Sequence, residues 1–148
     1  MFIFPATLTL DEDDGGYIVS FRDVPEALTQ GDTLEEAMLN ASEALDEAFA
    51  GFIVDGDPLP KPSKIRQEDY AVSVPTQTVF KFFLRSSMKS SKLSNIALSK
   101  KLGVNEKEVR RIIDPKHNTA MGRLEKALNA TGQQPVIAIV PIQGYDLA

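Results

Sequence analysis

The sequence predicts an α+β protein of two domains: an acidic domain over residues 1–75 and a basic, all-α domain over residues 76–148 that ends in a strand. Residues 1–75 contain four Lys or Arg against sixteen Asp or Glu, a net charge of −12, and residues 76–148 contain twelve against five, a net charge of +7. Alternating apolar residues mark strands in the acidic half, whereas helical spacing prevails in the basic half. This charge difference indicates two different partners, and the basic half suits nucleic acid.

Composition narrows the classes of protein that the sequence can encode. Its 148 residues are 43% hydrophobic and 25% charged, which is typical of a globular protein. No apolar run approaches the roughly 20 residues that cross a bilayer, and the N-terminus lacks the basic start of a signal peptide. The absence of cysteine excludes a thiolate metal site, and the single His117 argues against a histidine-rich metal site or a histidine-based catalytic cluster. We expect a cytoplasmic protein with no membrane contact, cofactor, metal or catalytic site.

Two alternating stretches open the acidic half. Apolar residues alternate over Phe2–Leu10 and again over Tyr17–Phe21, as they do in half-buried strands. Gly15 and Gly16 favour a turn between the two stretches, which together predict a β-hairpin. We predict that Asp23–Gly31 is an irregular stretch or a short third strand.

A long amphipathic helix follows. Thr33 and Glu36 have the spacing of a capping box, which predicts that the helix begins at Thr33 and runs until Gly56-Asp57-Pro58. Pro58, Pro60 and Pro62 then predict a stiff, extended connection. A strand is predicted after it at Tyr70–Val74. These elements predict a helix packed on a mainly antiparallel sheet. The apolar stripe of the helix recurs at three- and four-residue intervals: Leu34, Ala37, Met38, Ala41, Leu45, Ala48, Phe49 and Phe52.

The basic half is predicted to be helical. Pro75 can start a helix that runs to about Ser90, with an apolar face of Val79, Phe80, Phe83 and Leu84. A last helix is predicted from about Thr119 to Asn129, with Met121, Leu124 and Leu128 facing inward.

Between these helices, Leu93–Asp114 has the pattern of a helix-turn-helix. Ser99 is small where two crossing helices approach each other, and Gly103 suits a left-handed turn between them. Asn105 is a suitable N-cap for the second helix, and Glu108 completes a capping box. Five apolar residues have the spacing to close a shared core: Leu98, Leu102, Val104, Val109 and Ile112.

The second helix of this motif carries the candidate DNA contacts. A recognition helix inserts its exposed N-terminal part into the major groove, where basic side chains reach phosphates and guanine edges. Phosphate contacts can also come from basic and amide side chains nearby. The alternative is an ordinary solvated surface, which the basic character of this half makes the weaker interpretation. The predicted DNA-binding residues are Asn105, Glu106, Lys107, Arg110, Arg111, Lys100, Lys116 and Asn118.

The β-branched segment Gln134–Ile142 predicts a strand after the helices. A single strand leaves the hydrogen-bonding groups of its edges unpaired. We therefore predict that it pairs with the same segment of a second chain or joins the N-terminal sheet. A homodimer, or a higher homo-oligomer, would let two helix-turn-helix units read half-sites about one helical turn apart.

The segment Gly16–Ala37 resembles the hallmark of HicB-type antitoxins. It shares the hairpin strand, the turn D-x-P-x-A-x-T-x-G over Asp23–Gly31 and the capped helix that contains Glu36-Ala37. The order of the remaining elements resembles HicB proteins with a C-terminal helix-turn-helix. The resemblance covers nearly the whole chain.

This resemblance implies a partial RNase H-like α/β sandwich for the N-terminal domain. It also implies binding to a HicA-type toxin, a small, basic, mRNA-cleaving ribonuclease, and binding of the C-terminal domain to the operator of the protein's own operon. An acidic face against a basic ribonuclease is electrostatically complementary. The candidate toxin-binding residues are Asp11, Asp13, Asp23, Glu43 and Glu47.

Two other functions are open at this stage. The chain could be a transcriptional regulator without a toxin, whose N-terminal domain senses a ligand or oligomerises. It could also be an RNase H-like nuclease, but a two-metal site needs carboxylates that converge from several elements. The acidic run from Asp11 to Asp14 is instead typical of a solvated hairpin loop. The acidic residues of the long helix that begins at Thr33 are typical of its solvent-exposed face.

Overall fold

The computed structural model of the chain describes residues 1–142. These residues form two compact units, one made of residues 1–75 together with 139–142 and the other of residues 76–138. None of the helices that the structure describes combines the length and apolar character that a membrane span requires.

The first unit is built on a four-stranded antiparallel sheet. Its strands are β1 (Ile3–Leu10), β2 (Tyr17–Phe21), β3 (Leu28–Gly31) and β4 (Tyr70–Ser73), in the spatial order β3-β2-β1-β4. Strand β1 pairs with both β2 and β4, and β3 pairs with β2 at one edge. The predicted hairpin and the strand before Pro75 are confirmed, and the uncertain stretch after Asp23 contains a true third strand.

Helix α1 (Leu34–Asp55) covers one face of this sheet. The Thr33 hydroxyl accepts a hydrogen bond from the Glu36 amide at 3.1 Å, and the Glu36 carboxylate accepts one from the Asp32 amide at 2.8 Å. The helix ends at Gly56, which has the left-handed conformation with φ of 73°. The helix predicted from its capping residues and apolar stripe is therefore confirmed, with the reciprocal bond displaced by one residue from Thr33 to Asp32.

The core of the first unit is centred on Phe49. This ring meets Phe4 of β1 edge-on at a centroid distance of 5.3 Å and also contacts Phe2 and Phe52. Phe4 and Phe49 have no solvent exposure. Edge-to-face aromatic contacts of this kind add about 0.5–1.5 kcal/mol to the stabilisation from burial alone.

Arg22 fastens the irregular connection between α1 and β4 to the end of β2. Its guanidinium forms a bidentate pair with Asp69 at 2.7 and 2.8 Å and also donates to the Lys64 carbonyl and the Ser63 hydroxyl. Asp23 accepts from the amide and the hydroxyl of Ser63. The hydrogen bond from Arg22, helped by the Arg66 amide, lowers the pKa of Asp69 from 3.8 to about 2, against the opposing effect of burial.

The second unit is a bundle of four helices, α2 (Thr76–Ser90), α3 (Asn95–Leu102), α4 (Glu106–Ile113) and α5 (Met121–Ala130). Ser94 and Asn105 cap α3 and α4 by accepting hydrogen bonds from the amides of Ala97 and Glu108. Gly103 ends α3 with φ of 68°. The buried core contains Phe80, Leu84, Met88, Leu98, Val109, Ile112, Leu124, Ala127 and Leu128.

Several predictions for this unit are wrong in detail. The inner face of α2 contains Lys81 and Met88, whereas Phe83 and Met121 are 40% and 38% exposed. Helix α5 begins at Met121 instead of about Thr119, and the Thr119 amide and hydroxyl are bonded to side chains of α2. The predicted core residues Leu102 and Val104 are partly buried against the core, as their spacing indicates.

Within the single chain Gln134–Ile142 forms no strand, so the alternative in which it joins the N-terminal sheet is wrong, whereas pairing with a second chain stays a prediction. Residues 133–142 have no regular secondary structure, and the four-stranded sheet includes no strand from them. No neighbouring strand supplies hydrogen bonds, and Pro135 and Pro141 lack amide donors. Val136 and Ile139 are consequently 89% and 93% exposed.

Gly31 is expected to tolerate no side chain, because α1 passes directly over it. A Cβ atom there would lie 2.4 Å from the Ala37 amide nitrogen, whereas a Cβ on Gly51 meets no atom within 4 Å. We expect Gly31→Ala to destabilise the protein by about 1–3 kcal/mol. Gly51→Ala, the matched control inside α1, should stabilise it by about 0.5–1 kcal/mol. Denaturant unfolding of the full chain measures both, and equal effects would contradict the close approach.

Asp69 is expected to make stability depend on acid pH. Its pKa in the folded chain is about 2 and its ordinary value is 3.8, so the ionised form favours folding. This stabilisation is present above pH 3.8 and disappears as the pH falls towards 2. An NMR titration of the carboxyl carbon measures the pKa, and Arg22→Gln should return it towards 3.8. An unchanged titration in that variant would show that Arg22 is not the cause.

Candidate functional site

The first candidate surface is a groove between α1 and the free edge of β3. Three glutamates and the exposed side chain of Leu28 dominate it, so the surface combines negative charge with an apolar patch. We call it the acidic groove, and it is lined by Glu26, Leu28, Thr29, Asn40, Glu43, Ala44, Glu47 and Ala48.

The position of α1 on the sheet creates this groove. Glu43 and Glu47 are four residues apart, which places them on one face of α1, one turn from each other. The Asn40 amide donates to the Gln30 carbonyl at 2.9 Å and ties the same face to β3. Glu26 joins them from the turn before β3. It is not among the predicted residues, because nothing in its local pattern shows that this turn faces α1.

The other predicted toxin-binding residues lie elsewhere. The Asp11 carboxylate accepts from the amides of Asp13 and Asp14 and shapes its own turn. Asp13 is exposed in that turn. Asp23 is engaged by Ser63, so its carboxylate stabilises the connection after α1. Of the five candidates, the structure therefore brings only Glu43 and Glu47 into the acidic groove.

Within residues 1–142, no three His, Cys, Asp or Glu side chains converge as ligands for a metal ion.

The second candidate surface is the outer face of α4. Lys107, Arg110 and Arg111 are all exposed on it, while Val109 and Ile112 of the same helix point into the core. Asn105 is exposed at the N-cap, and Lys100 is exposed near the end of α3. Lys107, Arg110 and Arg111 thus lie outward from one short helix, while Lys100 lies on the preceding helix.

Acidic residues on α4 hold two of these arginines in the free protein. Glu106 pairs with Arg110 at 2.8 Å, with side-chain exposures of 39% and 68%. Glu108 pairs with Arg111 at 3.6 Å and also with Arg123 of α5. Glu108 therefore does not return to the N-cap as a full capping box requires. Exposed pairs of this kind contribute about 0–1 kcal/mol, so either arginine can exchange its partner for a phosphate or a base.

The loop between α4 and α5 presents the last two predicted DNA contacts. Lys116, His117 and Asn118 are exposed, whereas Pro115 and Thr119 on either side are buried. The loop is thus held at both ends and open to solvent in the middle. The Asp114 carboxylate shapes it further by accepting from the Lys116 amide at 2.9 Å.

Lys81 of α2 lies beneath this loop with no solvent exposure. Its ammonium group donates to the carbonyls of Asp114 and His117 and to the Thr119 hydroxyl. Burial lowers the pKa of Lys81, and the nearby charge of Asp114 opposes that effect. Lys81 is not among the residues predicted from the sequence, although a lysine on the apolar face of α2 is a recognisable signal of a buried polar contact.

The described residues thus present one acidic surface and one surface of exposed basic side chains. A family model for HicB-like antitoxins of bacterial toxin–antitoxin systems matches residues 3–83. The chain is 42% identical to Antitoxin HicB 1 of Photorhabdus laumondii subsp. laumondii over 136 residues, which cover 92% of this chain and 86% of that relative. It is 34% identical to Antitoxin HicB of Escherichia coli K12, over 93% of this chain and 99% of that relative.

The chain belongs to the HicB-like antitoxin family. This family consists of non-enzymatic regulatory proteins, so the role of the chain is that of an antitoxin and its partner is a toxin. The nuclease alternative is thereby wrong. The resemblance seen in Gly16–Ala37 is confirmed, since this segment lies inside the matched region.

Proposed function

We propose that the chain neutralises a HicA-type ribonuclease through the acidic groove of its N-terminal unit. The observation that supports this most directly is the groove itself, where Glu26, Glu43 and Glu47 face one open strand edge. A ribonuclease that binds RNA must present basic side chains, and complementary charges accelerate and orient such an encounter. The exposed Leu28 adds apolar area to the same surface. We also propose that the N-terminal unit has a partial RNase H-like architecture.

We further propose that α3 and α4 form a helix-turn-helix that binds operator DNA and represses the protein's own operon. The support is geometric: α4 is capped by Asn105, and Lys107, Arg110 and Arg111 are exposed on its outer face. Arginine recognises guanine by paired hydrogen bonds, and lysine supplies charge for phosphates. Lys116 and Asn118, exposed on the loop after α4, are the proposed phosphate contacts.

The proposed DNA-binding form is a homodimer. The segment after α5 exposes several large aliphatic side chains, which a single chain leaves in water. Pairing of this segment between two chains would cover them. Two copies of α4 would then reach half-sites about one helical turn apart.

The toxin-binding proposal predicts that charge reversal in the acidic groove weakens the complex. We expect Glu43→Lys with Glu47→Lys to raise the Kd for the toxin encoded beside the gene by about 100-fold or more, because like charges across an interface cost several kcal/mol. Asp55→Lys with Asp57→Lys is the matched control, since it changes the net charge equally at the exposed end of α1. Calorimetric titration at physiological salt gives both constants.

The double variant at Asp55 and Asp57 distinguishes an effect of the groove from an effect of net charge. Equal weakening by both double variants would show that net charge, and not the groove, determines affinity. A groove variant that binds normally would place the toxin on another surface. Failure of the unchanged chain to bind this toxin would overturn the HicA assignment.

The DNA-binding proposal predicts a loss of affinity from either arginine of α4. We expect Arg110→Ala and Arg111→Ala each to cost about 1–3 kcal/mol in binding to the promoter of the operon, and Lys126→Ala on α5 to change it little. Electrophoretic mobility shifts measure the Kd, and footprinting should show two half-sites about one helical turn apart. Equal losses from all three variants would exclude α4 as the recognition helix, and no binding by the unchanged chain would exclude the repressor role.

A further inference from the structure

Lys81 is the buried charged side chain of the second unit. Among the described residues of this unit, the other buried polar side chains are hydroxyls. A buried ammonium group is costly unless oxygen atoms replace the water that it loses. Its retention at a position that an apolar residue could occupy therefore calls for an explanation.

The oxygen atoms around Lys81 come from the end of α4 and the loop that follows it. The ammonium nitrogen lies 2.6 Å from the Asp114 carbonyl and 2.8 Å from the Thr119 hydroxyl, and it also contacts the His117 carbonyl. The Arg111 carbonyl, in the last turn of α4, is 3.5 Å away. A positive charge at the carboxyl end of a helix is favourable, because the last carbonyls of the helix are unpaired.

A second side chain of α2 holds the same loop. Gln77, one turn before Lys81, accepts a hydrogen bond from the Thr119 amide at 2.7 Å. Together the two side chains fix the far end of the loop to α2. Between these anchor points the loop exposes Lys116 and Asn118.

We propose that Lys81 is a positioning residue for DNA binding, which fixes the loop bearing Lys116 and Asn118 relative to the recognition helix α4. This inference rests on the proposed DNA-binding function. A single buried cation joins the carboxyl end of α4 to the loop, so it sets the distance between the base-reading arginines and the phosphate-contacting side chains. Correct spacing allows both sets to engage the duplex together, which a loose loop would not achieve without an entropic cost.

A double-mutant cycle in the full chain tests this role. In the unchanged background, Lys116→Ala should weaken promoter binding and reduce the slope of log K against log salt by about 0.9, the value for one lost phosphate contact. In the Lys81→Met background, Lys116→Ala should have little further effect on either quantity. A residue that merely stabilised the fold would leave the effect of Lys116→Ala unchanged.

Controls separate positioning from loss of folding. Circular dichroism establishes whether Lys81→Met is folded, and its affinity for the toxin should stay unchanged. Thr119→Val removes one acceptor of Lys81 while preserving volume, so the cycle is repeated with this variant, which also serves if Lys81→Met does not fold. Additive effects of Lys116→Ala in every folded background would overturn the proposal. Absence of promoter binding by the unchanged chain would instead overturn the DNA-binding function itself.

Discussion

The packing of α1 across the antiparallel sheet is the contact on which the acidic unit depends. Phe49, in the second half of α1, joins the helix to β1 through the ring of Phe4. At the other end, α1 passes so close to β3 that only glycine fits at position 31. The helix is held against the sheet at both positions, and its outward face places Glu43 and Glu47 beside the free edge of β3.

The second unit, which is basic, depends on a polar contact of Lys81 beside its apolar core. Lys81 lies on the buried face of α2, and its ammonium group donates hydrogen bonds to the end of α4 and to Thr119. Apolar packing positions the core face of α4 through Val109 and Ile112, and Pro115 is buried at the start of the loop beyond the helix. Directional hydrogen bonds from the buried Lys81 ammonium group hold the rest of that loop. The position of each candidate surface therefore depends on buried contacts: the packing of α1 on the sheet for the acidic groove, and the hydrogen bonds of Lys81 for the loop after α4.

Local signals predicted most of the elements, and long-range contacts account for the errors. The caps at Thr33 and Asn105 were recognisable because a cap involves residues only three positions apart. The segment Gln134–Ile142 has strand propensity, yet a strand requires a partner that no local pattern supplies. Asp23 and Glu26 are both acidic residues of one turn, but only the fold decides that Asp23 binds Ser63 while Glu26 faces α1.

The sequence alone determined the division of charge, the helices and strands with strong periodicity, and the HicB-type motif of Gly16–Ala37, because each of these is a property of neighbouring residues. Only the tertiary structure decided which acidic side chains form a common surface and which accept hydrogen bonds from other parts of the chain. It alone also revealed Lys81 as the link between α2 and the loop after α4, more than thirty residues further along the chain. The physical reason is that charge and periodicity are local, whereas burial and hydrogen-bond partners are set by segments that meet only in the folded chain.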